Sequence, residues 1–165
     1  MTIRIINGCN SWGLTQGYLK SYHKIKGGSD YDARTRVLTS DELVLLFNEV
    51  NPLPFRQFIR FAYYTGARVG EIRRMSRVLL YPDSIVVSGE SGQRTVKLSR
   101  QAKDVITETP VWDYTANYVQ LTWRRNRVRL GLEDVRFHDL RRTFGYNLVR
   151  QGRSIYEVSK LLCHS

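Results

Sequence analysis

Two cysteines and fifteen acidic side chains are few for a chain of 165 residues, and each scarcity narrows the class of protein. Cys9 and Cys163 are too few for a disulfide framework and make no metal-binding spacing, so a reducing compartment is expected. No apolar run approaches the roughly 18 residues of a membrane-spanning helix. Met1 to Asn10 lacks the charged start and long apolar stretch of a secretory signal. A cytoplasmic location, with no membrane partner, is the expectation that follows.

The acid shortage is the strongest of these clues. Against fifteen Asp and Glu stand 26 Lys and Arg, leaving a formal charge of +11. Such an excess draws a protein to polyanions, because neutralising phosphates releases their condensed counterions. Nucleic acid is the expected partner, although charge alone leaves a non-catalytic RNA binder open. An anionic membrane surface fits less well, since no segment joins a basic face to a continuous apolar one.

With 42% hydrophobic and 12% aromatic residues, the chain can bury a single core without staples. Residues 1–36 read as an N-terminal arm or linker, with Leu14 to Lys24 as a short helix and Gly27-Gly28-Ser29-Asp30 as a break. Residues 37–165 read as the folded domain. Thr39 and Glu42 have the spacing of a capping box, and Leu43, Leu46, Phe47 and Val50 form the stripe of a helix that Pro52 and Pro54 end. Phe55, Phe58, Ile59 and Ala62 repeat that spacing up to Gly66, and a short helix carries Val69, Ile72 and Met75. Strands are expected at 84–88 and 94–98 around a loop at 89–93, with a short third strand at 78–81. Helices follow at about 99–106, 115–130, 140–151 and 154–162, with a turn at Pro110. Tyr114, Tyr118 and Leu121 are expected on one buried face. The sum is a mainly α fold with a small antiparallel β-sheet, an α+β class.

Several side chains suit chemistry at a phosphodiester. Arg68 follows Gly66-Ala67 at a helix start, where free backbone N–H groups favour an anion. Glu71, one turn on, fixes Arg68 or pairs with Arg73 or Arg74. His138 and Arg141 share a helix face at i and i+3, and a histidine can move a proton near neutrality. His164 closes the set. Arginine's planar fork bonds two phosphate oxygens and keeps its charge, which suits a transition state with charge on the non-bridging oxygens.

Thr65-Gly66-Ala67-Arg68-Val69-Gly70-Glu71, His138-Asp139-Leu140-Arg141-Arg142-Thr143-Phe144 and Leu161-Leu162-Cys163-His164-Ser165 together resemble boxes of the tyrosine recombinase, or phage integrase, family, over residues 37–165. The resemblance implies a catalytic domain of a DNA site-specific recombinase. Arg68 and Arg141 would hold the scissile phosphate of duplex DNA, His138 would exchange a proton and His164 would hydrogen-bond the phosphate. A tyrosine would then attack to leave a 3′-phosphotyrosine. No metal or other cofactor is implied, and the lack of an obvious carboxylate cluster agrees with that. Protomers would assemble on DNA.

This sequence departs from the family pattern twice. The nucleophilic tyrosine would lie beyond Ser165, since Tyr146 and Tyr156 precede His164; the 165 residues alone are expected to form no covalent adduct. The hairpin loop lacks the family's lysine, for which Lys97 is a possible substitute. Cys163 standing for the usual glycine is a smaller change. Arg73, Arg74, Arg77 and Arg142 flank the site as candidate DNA contacts, and Arg124, Arg125, Arg127 and Arg129 crowd the end of the long helix. An inactive DNA-binding relative of the same fold and a type IB topoisomerase-like enzyme are the alternatives.

Overall fold

The computed structural model describes residues 3–25, 34–75, 80–89, 92–108 and 112–162. The chain divides into two units, Met1–Thr35 and Arg36–Ser165. In the first, helix α1 spans Ile3–Thr15, so Gly8 and Gly13 lie inside a helix rather than in an irregular arm. It ends where a helix was expected to begin, at Leu14. The cause is Gly17, whose left-handed φ of 77° lets the Tyr18 and Leu19 N–H groups turn back to the Gly13 carbonyl at 2.8 and 3.1 Å. The Asn7 side chain pins the trailing segment by donating to the Ile25 carbonyl and accepting from its N–H. The Gly27-Gly28-Ser29-Asp30 stretch lies outside the described residues.

Arg36, placed with the arm by sequence, belongs to the second unit, where it bonds Glu42 and, at 2.7 Å, Asp134. Helix α2 (Ser40–Glu49) opens with the expected capping box. Thr39 N–H donates to the Glu42 carboxylate at 2.8 Å and Glu42 N–H to the Thr39 hydroxyl at 3.2 Å. Pro52 and Pro54 do more than end α2. They occupy the cap and first turn of α3 (Leu53–Thr65), where a missing N–H costs nothing. This helix is the centre of the core, with Phe55, Phe58, Ile59 and Phe61 fully buried, and it packs against α2, α5 (Arg100–Glu108) and α7 (Phe137–Arg150). Burying each such side chain contributes about 1.5–3 kcal/mol.

Short helix α4 (Val69–Arg73) leads toward the hairpin of β1 (Ser84–Gly89) and β2 (Gly92–Lys97). Pairing runs from Ser84 opposite Lys97 to Gly89 opposite Gly92, so the connection is shorter than the expected 89–93 loop. Its two residues, 90 and 91, are outside the described set. Of the third strand expected at 78–81, residues 78 and 79 are also outside it, and Leu80 makes an isolated bridge to Ile85. Helices α5 (Arg100–Glu108), α6 (Ala116–Arg129), α7 (Phe137–Arg150) and α8 (Ile155–Leu162) complete the described elements; the turn at Pro110 falls outside them. The fold class is therefore the one expected.

Two local expectations change. Helix α7 starts at Phe137, because the Asp139 carboxylate accepts the Arg136 N–H at 2.8 Å and caps the first turn there. Helix α6 is rotated from the expected face. Its buried stripe is Val119, Thr122, Trp123 and Asn126, leaving Tyr118 and Leu121 exposed and Tyr114 half-buried. Asn126 sets that rotation by clasping Asn51, accepting its N–H at 2.9 Å and donating to its carbonyl at 2.7 Å.

Candidate active site

Gly66 makes the first part of the site possible. It caps α3 with a left-handed φ of 60°, and a Cβ there would lie 2.6 Å from Phe144 Cδ1 and 2.7 Å from Leu162 Cδ2. Glycine is thus required for both backbone and space, and the end of α3 can touch α7 and α8. Two residues on, Arg68 precedes α4. The Glu71 carboxylate accepts the Arg68 N–H at 2.7 Å and its Nη1 at 3.1 Å.

Glu71 is buried, with only 2% of its side chain exposed, and its second partner is a residue that sequence reasoning missed. Arg94 on β2 grips both oxygens, Nε to Oε1 at 3.1 Å and Nη2 to Oε2 at 2.7 Å. Burial pushes the Glu71 carboxyl up, but the bonds from Arg94 and from the Arg68 backbone outweigh it and bring the pKa down to about 2. The expected alternative partners are engaged elsewhere. Arg73 Nε donates to the Tyr114 carbonyl at 2.6 Å and Arg74 Nε to the Ser88 carbonyl at 3.2 Å. A signal for Arg94 did exist: alternation puts it on the same strand face as buried Val96, and an inward arginine requires an acid.

Helix α7 supplies the second part. Arg141 is buried and crosses the core, donating from Nη1 to the Gly66 carbonyl at 2.6 Å and from Nη2 to the Leu162 carbonyl. His138 stands exposed one turn earlier. Arg68, His138 and Arg141 line one small hollow of about 30 Å³, walled by Ala67 and Phe137 among others. Three of the four side chains proposed for catalysis are thus brought together by the ends of α3 and α7. His164 lies outside the described residues, but Leu162, two positions before it, is tied to Arg141.

Other candidates divide. Lys97 is exposed on the strand face opposite Arg94 and at the end of the hairpin away from its turn. Arg142 donates to Asp139 at 2.6 Å and remains one-third exposed. Arg124 and Arg125 are exposed. Arg127 bonds the Glu133 and Val135 carbonyls, and Arg129 bonds that of Glu49. Arg77 is outside the described residues. Tyr146 and Tyr156 are exposed beneath Arg150 and Lys160, and neither lines the hollow.

Residues 102–165 match the phage integrase family. A shufflon-specific DNA recombinase of Escherichia coli is 36% identical over 121 residues, covering 66% of this chain and 31% of that protein. The chain therefore spans about a third of the length of this curated relative. Among solved structures, the Tn1549 transposon integrase in complex with transposon right end DNA has a TM-score of 0.78 at 13% identity, covering 99% of this chain and 70% of that one. A lambda integrase tetramer bound to a Holliday junction gives 0.68 at 16% identity, covering 99% and 57%. Family match, sequence relative and shared fold agree: residues 102–165 match the phage integrase family, and the chain is similar in fold to the solved integrases.

Proposed function

We propose that this chain binds duplex DNA and holds one scissile phosphate between Arg68 and Arg141, as part of a site-specific recombinase. The observation that carries this reading is the shared hollow of Arg68, His138 and Arg141, drawn from segments far apart in sequence. A phosphate seated there meets two guanidinium groups whose positions are set in advance. Fixed donors aimed at the non-bridging oxygens stabilise the five-coordinate transition state without reorganisation during the reaction.

In the proposed step a tyrosine hydroxyl attacks the phosphorus and His138 accepts its proton. The phosphorus–oxygen bond to the 5′ side breaks as the phosphotyrosine bond forms, and the 5′-oxygen leaves as a hydroxyl after taking up a proton. Attack by that hydroxyl on the phosphotyrosine reverses the step and rejoins a strand, so the bond energy is conserved. His164, following the clamped end of α8, would add a hydrogen bond to the phosphate. Arg124, Arg125, Arg74 and Arg142 would position the duplex through backbone phosphates without reading bases. Exchange of strands between two duplexes needs several protomers, and the tetramer of lambda integrase on a Holliday junction supports that assembly.

A second reading, a DNA-binding relative that does not cleave, is favoured by the outward-facing Lys97. The two separate in one experiment. A labelled nicked duplex is incubated with the chain alone and with the chain extended by any coding sequence that follows Ser165, then run on a denaturing gel. The cleaving reading expects duplex binding without an adduct from the chain alone, and an adduct from the extended chain that Arg141→Ala abolishes. Binding with no adduct from any extended form supports the second reading. An Arg141→Ala form that cleaves normally overturns the site assignment.

A further inference from the structure

Arg94 is absent from the sequence boxes, yet three of its nitrogens are committed at the edge of the site. Two close on Glu71, and Nη1 donates to the Leu161 carbonyl at 3.1 Å, near the end of α8. Glu71 is also what holds Arg68. That arrangement poses an electrostatic problem. A buried carboxylate beside a phosphate-binding guanidinium fixes its direction but also cancels its charge, and the low dielectric of the site strengthens the cancellation. Arg68 and Glu71 alone sum to zero, whereas Arg94 returns the trio to one net positive charge.

We infer that Arg94 is a positioning residue whose charge offsets Glu71, so that Glu71 can orient Arg68 while the full charge of Arg68 remains available to a DNA phosphate. The inference rests on the phosphate-holding reading above. Its chemistry is specific. The bidentate fork of Arg94 matches both carboxylate oxygens, and the bond to Leu161 fixes the fork's other arm. Without Arg94, Glu71 turns wholly to Arg68 and draws that guanidinium away from an incoming anion.

The test is affinity for a labelled duplex of about 30 base pairs, followed through a salt series, because each lost phosphate contact lowers the salt slope by about 0.9. Arg94→Gln is expected to weaken binding ~5–10-fold and to lower the slope by about one contact. Adding Glu71→Gln removes the uncompensated carboxylate and is expected to recover the affinity. A role in folding alone, or a direct contact of Arg94 with DNA, leaves the double variant as weak as the single one, and that result overturns the inference. Arg94→Lys keeps the charge but loses the fork, and is expected to bind more tightly than Arg94→Gln and less tightly than the parent. Should Arg94→Gln fail to fold by thermal unfolding, the double variant with Glu71→Gln decides instead, and much weaker binding than the parent by a folded double variant overturns the inference. Arg68→Ala separates the two levels. If it weakens binding while Arg94→Gln does not, the phosphate reading stands and the role of Arg94 falls; if it changes nothing, the phosphate reading itself fails.

Discussion

Arg68 and Arg141 face the same hollow but are supported in opposite ways. Arg141 is buried and donates to two neutral carbonyls, Gly66 and Leu162, which fix its place. Arg68 has 36% of its side chain exposed and is held by a carboxylate one turn away, so its charge depends on a third residue. The two supports also differ in reach. The bonds of Arg141 join the end of α3 to the end of α8, whereas the tie from Arg68 to Glu71 is local. Under the proposed function, loss of Arg141 strikes the fold and the phosphate site together, and loss of Arg68 strikes chiefly the phosphate site.

The largest effect is expected from Arg141→Ala. It leaves the Gly66 and Leu162 carbonyls without this donor in the interior, a cost of about 2–6 kcal/mol in urea unfolding, at about 1–3 kcal/mol for each group. Unchanged unfolding would erase the contrast between the two arginines. Glu71→Gln comes next, and its cost depends on pH. The ordinary carboxyl value of 4.5 falls to about 2 in the folded protein, so the ionised acid stabilises the fold above about 4.5 and that contribution is lost as pH falls toward 2. Near neutrality the variant is expected to lose on the order of 3 kcal/mol, and its unfolding curve should converge on the parent's at low pH. A pH-independent gap would show that packing, not ionisation, holds Glu71. Arg68→Ala is smaller still in stability, within about 1 kcal/mol as for other partly exposed ion pairs, yet duplex affinity should fall.

The legible parts of this molecule were those set by neighbours in sequence. Thr39 and Glu42 announce the start of α2, Gly66 the end of α3, and the spacing of Phe55, Phe58 and Ile59 its buried face. His138 and Arg141 share a helix face as their spacing implies. What escaped notice depends on contacts between distant segments. The Arg94–Glu71 pair needs the hairpin register and the placement of α4 at once, and no local pattern encodes both. Asn126 grips Asn51 and so turns Tyr118 and Leu121 outward, against the apolar pattern of α6. Asp139 sits in sequence between His138 and Arg141 and carries no signal of its own. Buried, capping Arg136 and binding Arg142, it fixes the turn that presents His138.

The end of α6 offers the finest version of the same contrast. In sequence Arg124, Arg125, Arg127 and Arg129 look alike, four cations favourable to a helix C-terminus. The structure divides them, because Arg127 reaches the Glu133 and Val135 carbonyls and Arg129 the Glu49 carbonyl, while Arg124 and Arg125 stand exposed. Arg127→Ala should therefore cost about 1–2 kcal/mol in stability through lost carbonyl bonds. Arg124→Ala and Arg125→Ala should stay within about 0.5 kcal/mol of the parent. Their effect belongs to binding instead, where each should lower the salt slope for duplex DNA by about 0.9 if it meets a phosphate. Stability and salt slope measured on the same three variants give opposite orders if exposure sorts the arginines by role. If Arg127→Ala alone lowers the slope, the duplex approaches a different face of α6, and Arg124 and Arg125 belong to solvent.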